Sequence, residues 1–161
     1  MKERRNVYMA YLSPVACAAN KFLLSILNAV DTQKIKIFFL GIINGQLTAV
    51  TGVGVEVDVI KVTAIVGGTA VTPAPMEGKD PAVSNVTCVH TATSVTAGAT
   101  LLGIFRNNDE IPLTLVDREE PRNVLPHPIT CYKDQGITVK QITDSNVGVL
   151  GVLCLFEVEY K

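Results

Sequence analysis

Val53, Val55, Val57 and Val59 alternate with Gly54, Glu56 and Asp58. A period of two lays four valines along one face of an extended chain and sends the polar residues to the other. A strand buried on one face is therefore the element from which this chain has to be built. The phase slips at Val59-Ile60, and Lys61-Val62-Thr63-Ala64-Ile65 continues with weaker alternation. Such a slip predicts a β-bulge or a strand bent around a sandwich edge. The same period returns at the C-terminal end. Val152, Cys154, Phe156, Val158 and Tyr160 share one face, and Leu153, Leu155, Glu157, Glu159 and Lys161 share the other. The first set is expected in the core. The second starts apolar and ends charged, so Leu153 and Leu155 are expected under a neighbouring element or subunit, with Glu157 onward in water.

Helical periodicity is scarce elsewhere. Segments rich in Val, Ile, Thr or Phe and bounded by turn residues predict strands at Phe22–Leu27, Lys34–Ile43, Asn85–His90, Thr100–Phe105, Leu113–Val116, Ile129–Tyr132 and Ile137–Ile142. About eight or nine short strands without intervening helices predict an all-β antiparallel sandwich or barrel, with a jelly roll the preferred version. Two stretches resist strand assignment because proline removes a ladder donor and fixes φ: VGGTAVTPAPMEGKDPA (Val66–Ala82) and DREEPRNVLPHP (Asp117–Pro128). Both are expected to be loops. The N-terminal twenty residues are a third segment that resists strand assignment; Pro14 argues against a long helix there and leaves room for a short helical turn at Met9–Leu12. Lys2, Arg4 and Arg5, the apolar run Val7–Val15 and Ala16-Cys17-Ala18 have the outline of a signal peptide. Ser13 and Pro14 interrupt that run, so the expectation is an N-terminal arm over 1–19 followed by one β-sandwich domain over 20–161.

Composition narrows the function classes. The chain has 161 residues, enough for one domain with a core that needs no disulfide. Apolar residues are 48% and charged residues 18%, too apolar for a disordered chain and lean in charge for a fully wetted surface. Some apolar surface is expected to be covered by partners. A net charge of −1 provides no field for nucleic acid, and no uninterrupted apolar run is long enough for a membrane helix. Cys17, Cys88, Cys131 and Cys154 form no C-x-x-C pair, and His90 and His127 flank none of them at metal spacing. Reduced thiols are expected, with Cys154 packed as a small hydrophobe in its apolar strand.

The search for chemistry returns little. Gly67-Gly68-Thr69 is neither a P-loop nor a dinucleotide fingerprint, and Pro73 and Pro75 block the helix that would aim at a phosphate. Gly52 and Gly54 precede a strand. Both pairs read as turn or bulge glycines. Cys88 and His90 share a strand face and could pair, but no third group orients them. Asp109-Glu110 and Glu119-Glu120 are adjacent carboxylates that an extended chain sends to opposite sides. Asn85-Val86-Thr87 is a formal glycosylation sequon, and the absence of Trp leaves sugar-stacking platforms poorly supplied. No catalytic residue, cofactor or metal is expected.

Three segments nevertheless form a layout. NKFLLSILNAVDTQKIKIFFLGIIN (Asn20–Asn44) is a strand, a short polar turn and a Lys-Ile-Lys-Ile strand. TGVGVEVDVIKVTAIVGGTAVTPAPMEGKDPA (Thr51–Ala82) is a long strand ending in a Gly-Gly-Thr turn and an Asp-Pro. GVLGVLCLFEVEYK (Gly148–Lys161) is a closing strand. This layout resembles small virion structural proteins of tailed bacteriophages. The resemblance implies a β-sandwich or jelly-roll module of the capsid surface, assembled in the host cytoplasm. It implies a non-enzymatic decoration or cement subunit that binds the major capsid protein, working as a homo-oligomer, most simply a trimer. Head-fibre, collar or tail components are the alternative within that class, and a small carbohydrate- or ligand-binding β-sandwich is the alternative outside it. A cupin-like enzyme would need clustered His and Glu ligands that two separated histidines do not supply. The expected contact residues are Val15 in the arm, Phe22 where the domain begins, Thr72, Pro73 and Pro75 in one proline-bearing loop, Pro126 in the other, and Leu153 and Leu155 on the closing strand.

Overall fold

The computed structural model describes residues 5–45, 54–107, 122–142 and 148–161. Its strands are β1 (Arg5–Ala16), β2 (Phe22–Asn28), β3 (Gln33–Asn44), β4 (Gly54–Val66), β5 (Thr69–Ala70), β6 (Ala74–Pro75), β7 (Val86–His90), β8 (Ser94–Asn107), β9 (Ile129–Cys131), β10 (Gln135–Gln141) and β11 (Val149–Tyr160). They form two antiparallel sheets packed face to face as a sandwich. Sheet A runs β6-β1-β11-β3-β9 and sheet B runs β5-β7-β2-β10-β4-β8. The strands are longer than expected, since β1, β3, β4, β8 and β11 each span 12 to 14 residues. Among the described residues no helix is long and apolar enough to cross a membrane. The expected strand Leu113–Val116 and the carboxylate pairs Asp109-Glu110 and Glu119-Glu120 lie outside the described residues.

The alternation that opened the sequence sets the core. Val55, Val57 and Val59 are buried, while Glu56 and Asp58 between them are half-buried. The expected slip is found where the phase breaks: β4 changes register against β8 between Val59 and Ile60 and twice more before Ala64. Against β10 the same residues of β4 pair without interruption. The bulges therefore bend the β4–β8 side of the sheet. On β11, Val152, Cys154, Phe156 and Val158 are fully buried, and the Phe156 ring stacks on Tyr8 at 5.7 Å. Burying each such side chain stabilises the fold by about 1.5–3 kcal/mol.

The arm is replaced by a strand. Residues Arg5–Ala16 pair with nearly the whole length of β11, and Tyr8, Ala10 and Leu12 are buried in the core. The helical turn at Met9–Leu12 is part of this strand. Pro14 is accommodated because the register shifts between Leu12 and Val15, which takes Ser13-Pro14 out of the ladder where proline's missing donor would matter. Gly151 makes that bulge possible, since a Cβ there would sit 2.7 Å from the Leu12 carbonyl and 3.2 Å from the Pro14 ring.

Several polar side chains inside the fold are paired, while Asn6 Oδ1 and Asn44 Oδ1 are buried without a hydrogen-bond partner among the described residues. The Ser25 and Thr138 hydroxyls hydrogen-bond at 2.7 Å between β2 and β10. Asn28 donates to the Gln33 carbonyl at 3.0 Å, and Gln33 donates to Asn28 Oδ1 at 3.3 Å and to the Ser84 carbonyl at 3.2 Å. These bonds close the β2–β3 turn and tie it to the chain entering β7. The Val66–Ala82 segment, expected as a loop, carries two short strands. Gly67 (φ +67°) and Gly68 (φ +93°) turn the chain out of β4 in a conformation that other residues rarely adopt. The segment then pairs with β7 through β5 and with β1 through β6. It is a strap that joins the two sheets along one side of the sandwich.

Candidate functional site

The outer face of sheet A follows from cross-strand register, because residues opposite one another point to the same side. Met9, Leu155 and Phe39 form one row; Tyr11, Leu153 and Gly41 form the next. Ile43 extends the patch beside Gly151. Tyr11 is 47% exposed, and Met9, Phe39, Ile43, Leu153 and Leu155 are half-buried. The result is an apolar surface on the middle strands of a sheet, where a wetted sandwich ordinarily carries polar residues. The next row is charged: Val7, Glu157 and Lys36, followed by Glu159 and Lys34. Glu159 is nearly buried and meets Lys34 Nζ at 2.6 Å. This corrects the expectation that the strand runs into water from Glu157 onward. The ion pair lets a carboxylate sit at the sheet surface with little solvent.

The expected contact residues fall on separate surfaces. Leu153 and Leu155 lie at the centre of the apolar face. Val15 is half-buried after the β1 bulge, opposite Leu150. Phe22 starts β2, half-buried, with the Lys140 ammonium 5.3 Å from its ring centroid. On the strap, Thr72 and Pro75 are exposed, with Met76 beside them 53% exposed. Pro73 is buried within the chain, so its ring packs internally. Pro126 stands on the opposite side, at the mouth between the sheets. There Lys61, Leu101 and Leu102 of sheet B face Leu125, His127 and Ile129 across a cavity of about 330 Å³.

Met9, Tyr11, Phe39 and Ile43 were not foreseen as surface residues. The signal for two of them was present in β1, where Val7, Met9 and Tyr11 alternate with Tyr8, Ala10 and Leu12. Both phases are apolar, so the alternation does not stand out against the average.

The thiols are chemically quiet. All four cysteines are free and buried. Burial pushes Cys88 up to about 12 and Cys131 up to about 11, the latter despite the nearby Lys61 cation. Burial drives Cys154 well above its ordinary range. A thiol that stays protonated is neither nucleophile nor metal ligand. His90 Nδ1 lies 3.0 Å from the Thr91 hydroxyl. Among the described residues, no three His, Cys, Asp or Glu side chains gather where a metal ion could be held. The described residues also present three surfaces: an apolar sheet face, a proline-stiffened strap and a mouth between the sheets. No protein-family model matches the chain, and no curated protein sequence does.

Proposed function

We propose that this chain is a non-enzymatic virion structural protein, a capsid decoration or cement subunit that binds and stabilises the lattice of the major capsid protein. The observation that carries the proposal is the apolar outer face of sheet A, centred on Leu153 and Leu155 and bordered by the Lys34, Lys36, Glu157 and Glu159 rim. An apolar patch with a charged border is the pattern of a protein-binding surface. The strand order supports a jelly-roll reading of the sandwich. Without the short strap strands and β7, β1-β11-β3-β9 faces β2-β10-β4-β8, which is the winding of two interlocked Greek keys. That architecture is used by viral capsid domains, and by lectins and cupins as well. The sequence layout favours the first of these. A homo-oligomer, most simply a trimer, is part of the reading, since symmetric copies multiply weak contacts into firm attachment.

The test is particle composition and binding. Purified particles should contain the chain at lattice stoichiometry; a few copies per vertex would assign it to a fibre or collar instead. Leu153→Asp with Leu155→Asp should abolish occupancy on stripped particles while the domain stays folded. Unchanged occupancy would exclude the sheet A face as the capsid contact. One observation favours a second reading, a small-ligand-binding β-sandwich: the mouth cavity falls within the size of ligand sites and presents one cation, Lys61, above apolar walls. Titration with small sugars and carboxylates, followed by amide shifts at Leu101 and Ile129, decides that reading.

A further inference from the structure

A two-sheet sandwich has four edge strands, and among the described residues they are β6 and β9 in sheet A and β5 and β8 in sheet B. Three of them are blunted. β5 and β6 are two residues long and β9 is three. Each lies within a few residues of a proline: Pro73 follows β5, Pro75 is in β6, and Pro128 precedes β9. Short, proline-bearing edges are how β-proteins prevent strangers from adding a strand.

β8 is built the opposite way. It is 14 residues long, the longest strand among the described residues. From Ser94 to Phe105 it contains neither a charge nor a proline. Thr96 to Leu101 is exposed throughout. Its bulges against β4 add twist but leave the edge neutral. Among the described residues, β8 pairs with β4 and with no strand on its other side. Among the described residues, the backbone hydrogen bonds outside the ladders involve none of β8. In an antiparallel strand, alternate residues aim both N–H and C=O outward, so roughly seven residues of β8 aim these groups away from β4.

We propose that the outer edge of β8 is an interface that pairs with β8 of a second copy of this chain. The choice of occupant follows from length and charge. A 14-residue neutral edge needs a partner edge of similar length, and the other edges of the described chain have two or three residues. Antiparallel self-pairing brings Ser94–Ile104 of one copy against the same neutral stretch of the other, with no like charges opposed. The contact is isologous and two-fold, joining two six-stranded sheets into one. It does not depend on the capsid reading. If a three-fold contact also exists, the two together give even-numbered assemblies.

The experiment is sedimentation of the full chain over a concentration series, with two charge variants. Thr96 and Thr100 are exposed and uncharged, so Thr96→Lys with Thr100→Lys, and Thr96→Glu with Thr100→Glu, leave the fold intact by far-UV circular dichroism. Each variant alone raises the dissociation constant of the dimer about tenfold or more, because like charges then face each other across the pair. Mixing the two variants restores dimerisation. Amide exchange on the unmodified chain supplies a measurement without substitutions: outward amides between Ser94 and Ile104 gain protection as concentration rises. A monomer at every concentration overturns the proposal, as does an oligomer that neither charge variant weakens. Equal protection of those amides in the dilute monomer overturns it too, by assigning the edge to the chain's own residues.

Discussion

Truncating Phe156 to alanine is expected to cost about 3–5 kcal/mol, the range for emptying a fully buried aromatic site. Phe156 lies on β11, the strand between β1 and β3, opposite Tyr8 on one side and Ile37 on the other. It has no exposed surface. Its ring stacks on Tyr8 at 5.7 Å and 28°, a contact that contributes about 0.5–1.5 kcal/mol within that total. Tyr8 cannot move in to fill the space, because its hydroxyl is held by the Pro81 carbonyl at 3.1 Å and receives a hydrogen bond from Asn6. The cavity therefore stays open and the cost lies near the middle of the range. With a urea slope of about 2 kcal/mol per M, a loss of about 4 kcal/mol lowers the unfolding midpoint by about 2 M. Against a total stability of about 5–15 kcal/mol this is a large fraction. Phe156→Leu should recover more than half of the loss. A midpoint shift below about 0.5 M, with the slope unchanged, would refute the claim that this ring pair fills a close-packed part of the core.

Deleting residues 1–16 should unfold the domain, since it removes β1 and uncovers the side of β11; loss of the strand signal in circular dichroism and of dispersed amide resonances checks it. A deletion that leaves the domain folded would restore the arm reading. The native thiols should resist a disulfide reagent at pH 8 and react fully in denaturant. Their raised values also set a pH dependence. A group protonated in the fold but ionising near 9 when unfolded stabilises fully below 9, and that contribution falls as pH rises. With Cys88, Cys131 and Cys154 all held protonated by burial, stability should therefore fall between pH 8 and pH 10. Urea midpoints at the two pH values measure it. Asp31 accepts a hydrogen bond from Lys161 at 2.8 Å, which with the Lys161 charge holds its carboxyl below 3.8. Carboxyl carbon shifts in an acid titration should return to the ordinary value in Lys161→Ala, with little change in stability because the pair is exposed.

What was legible in the sequence was what a period of two can encode. Val55 to Val59 and Val152 to Val158 declared their faces, and the break at Val59-Ile60 marked a real register shift. β1 was illegible for the same reason in reverse. With Val7, Met9 and Tyr11 on one face and Tyr8, Ala10 and Leu12 on the other, both phases are apolar and no contrast remains to be read. Pro14 interrupts the apolar run, and only the pairing with β11 reveals that a bulge removes it from the ladder. The burial of Glu159 depends on Lys34, 125 residues earlier, meeting it across two strands, which local sequence cannot announce. The strap was half legible. Its glycines and prolines gave the turn and the stiffness, but β5 and β6 exist only because β7 and β1 lie alongside.

As proposed, the apolar face of sheet A and the outer edge of β8 solve different binding problems, and this makes the two proposals separable. A sheet face binds by covering apolar area, and its strength grows with the surface removed from water. A sheet edge binds by completing backbone hydrogen bonds, which are directional and indifferent to most side chains. The two surfaces belong to different sheets and share no residue. Perturbations at sites that are distant and have no common partner add within about 0.5 kcal/mol. Leu153→Asp should therefore weaken particle occupancy while leaving β8-dependent dimerisation as it was. Thr100→Lys should do the reverse, except that occupancy then falls by the avidity that pairing two subunits supplies. If Leu153→Asp instead dissolved the dimer, copies of this chain would be meeting through sheet A, and the capsid would need another contact. The strap, with Thr72, Pro75 and Met76 exposed beside β1, is the surface on which that contact would next be sought.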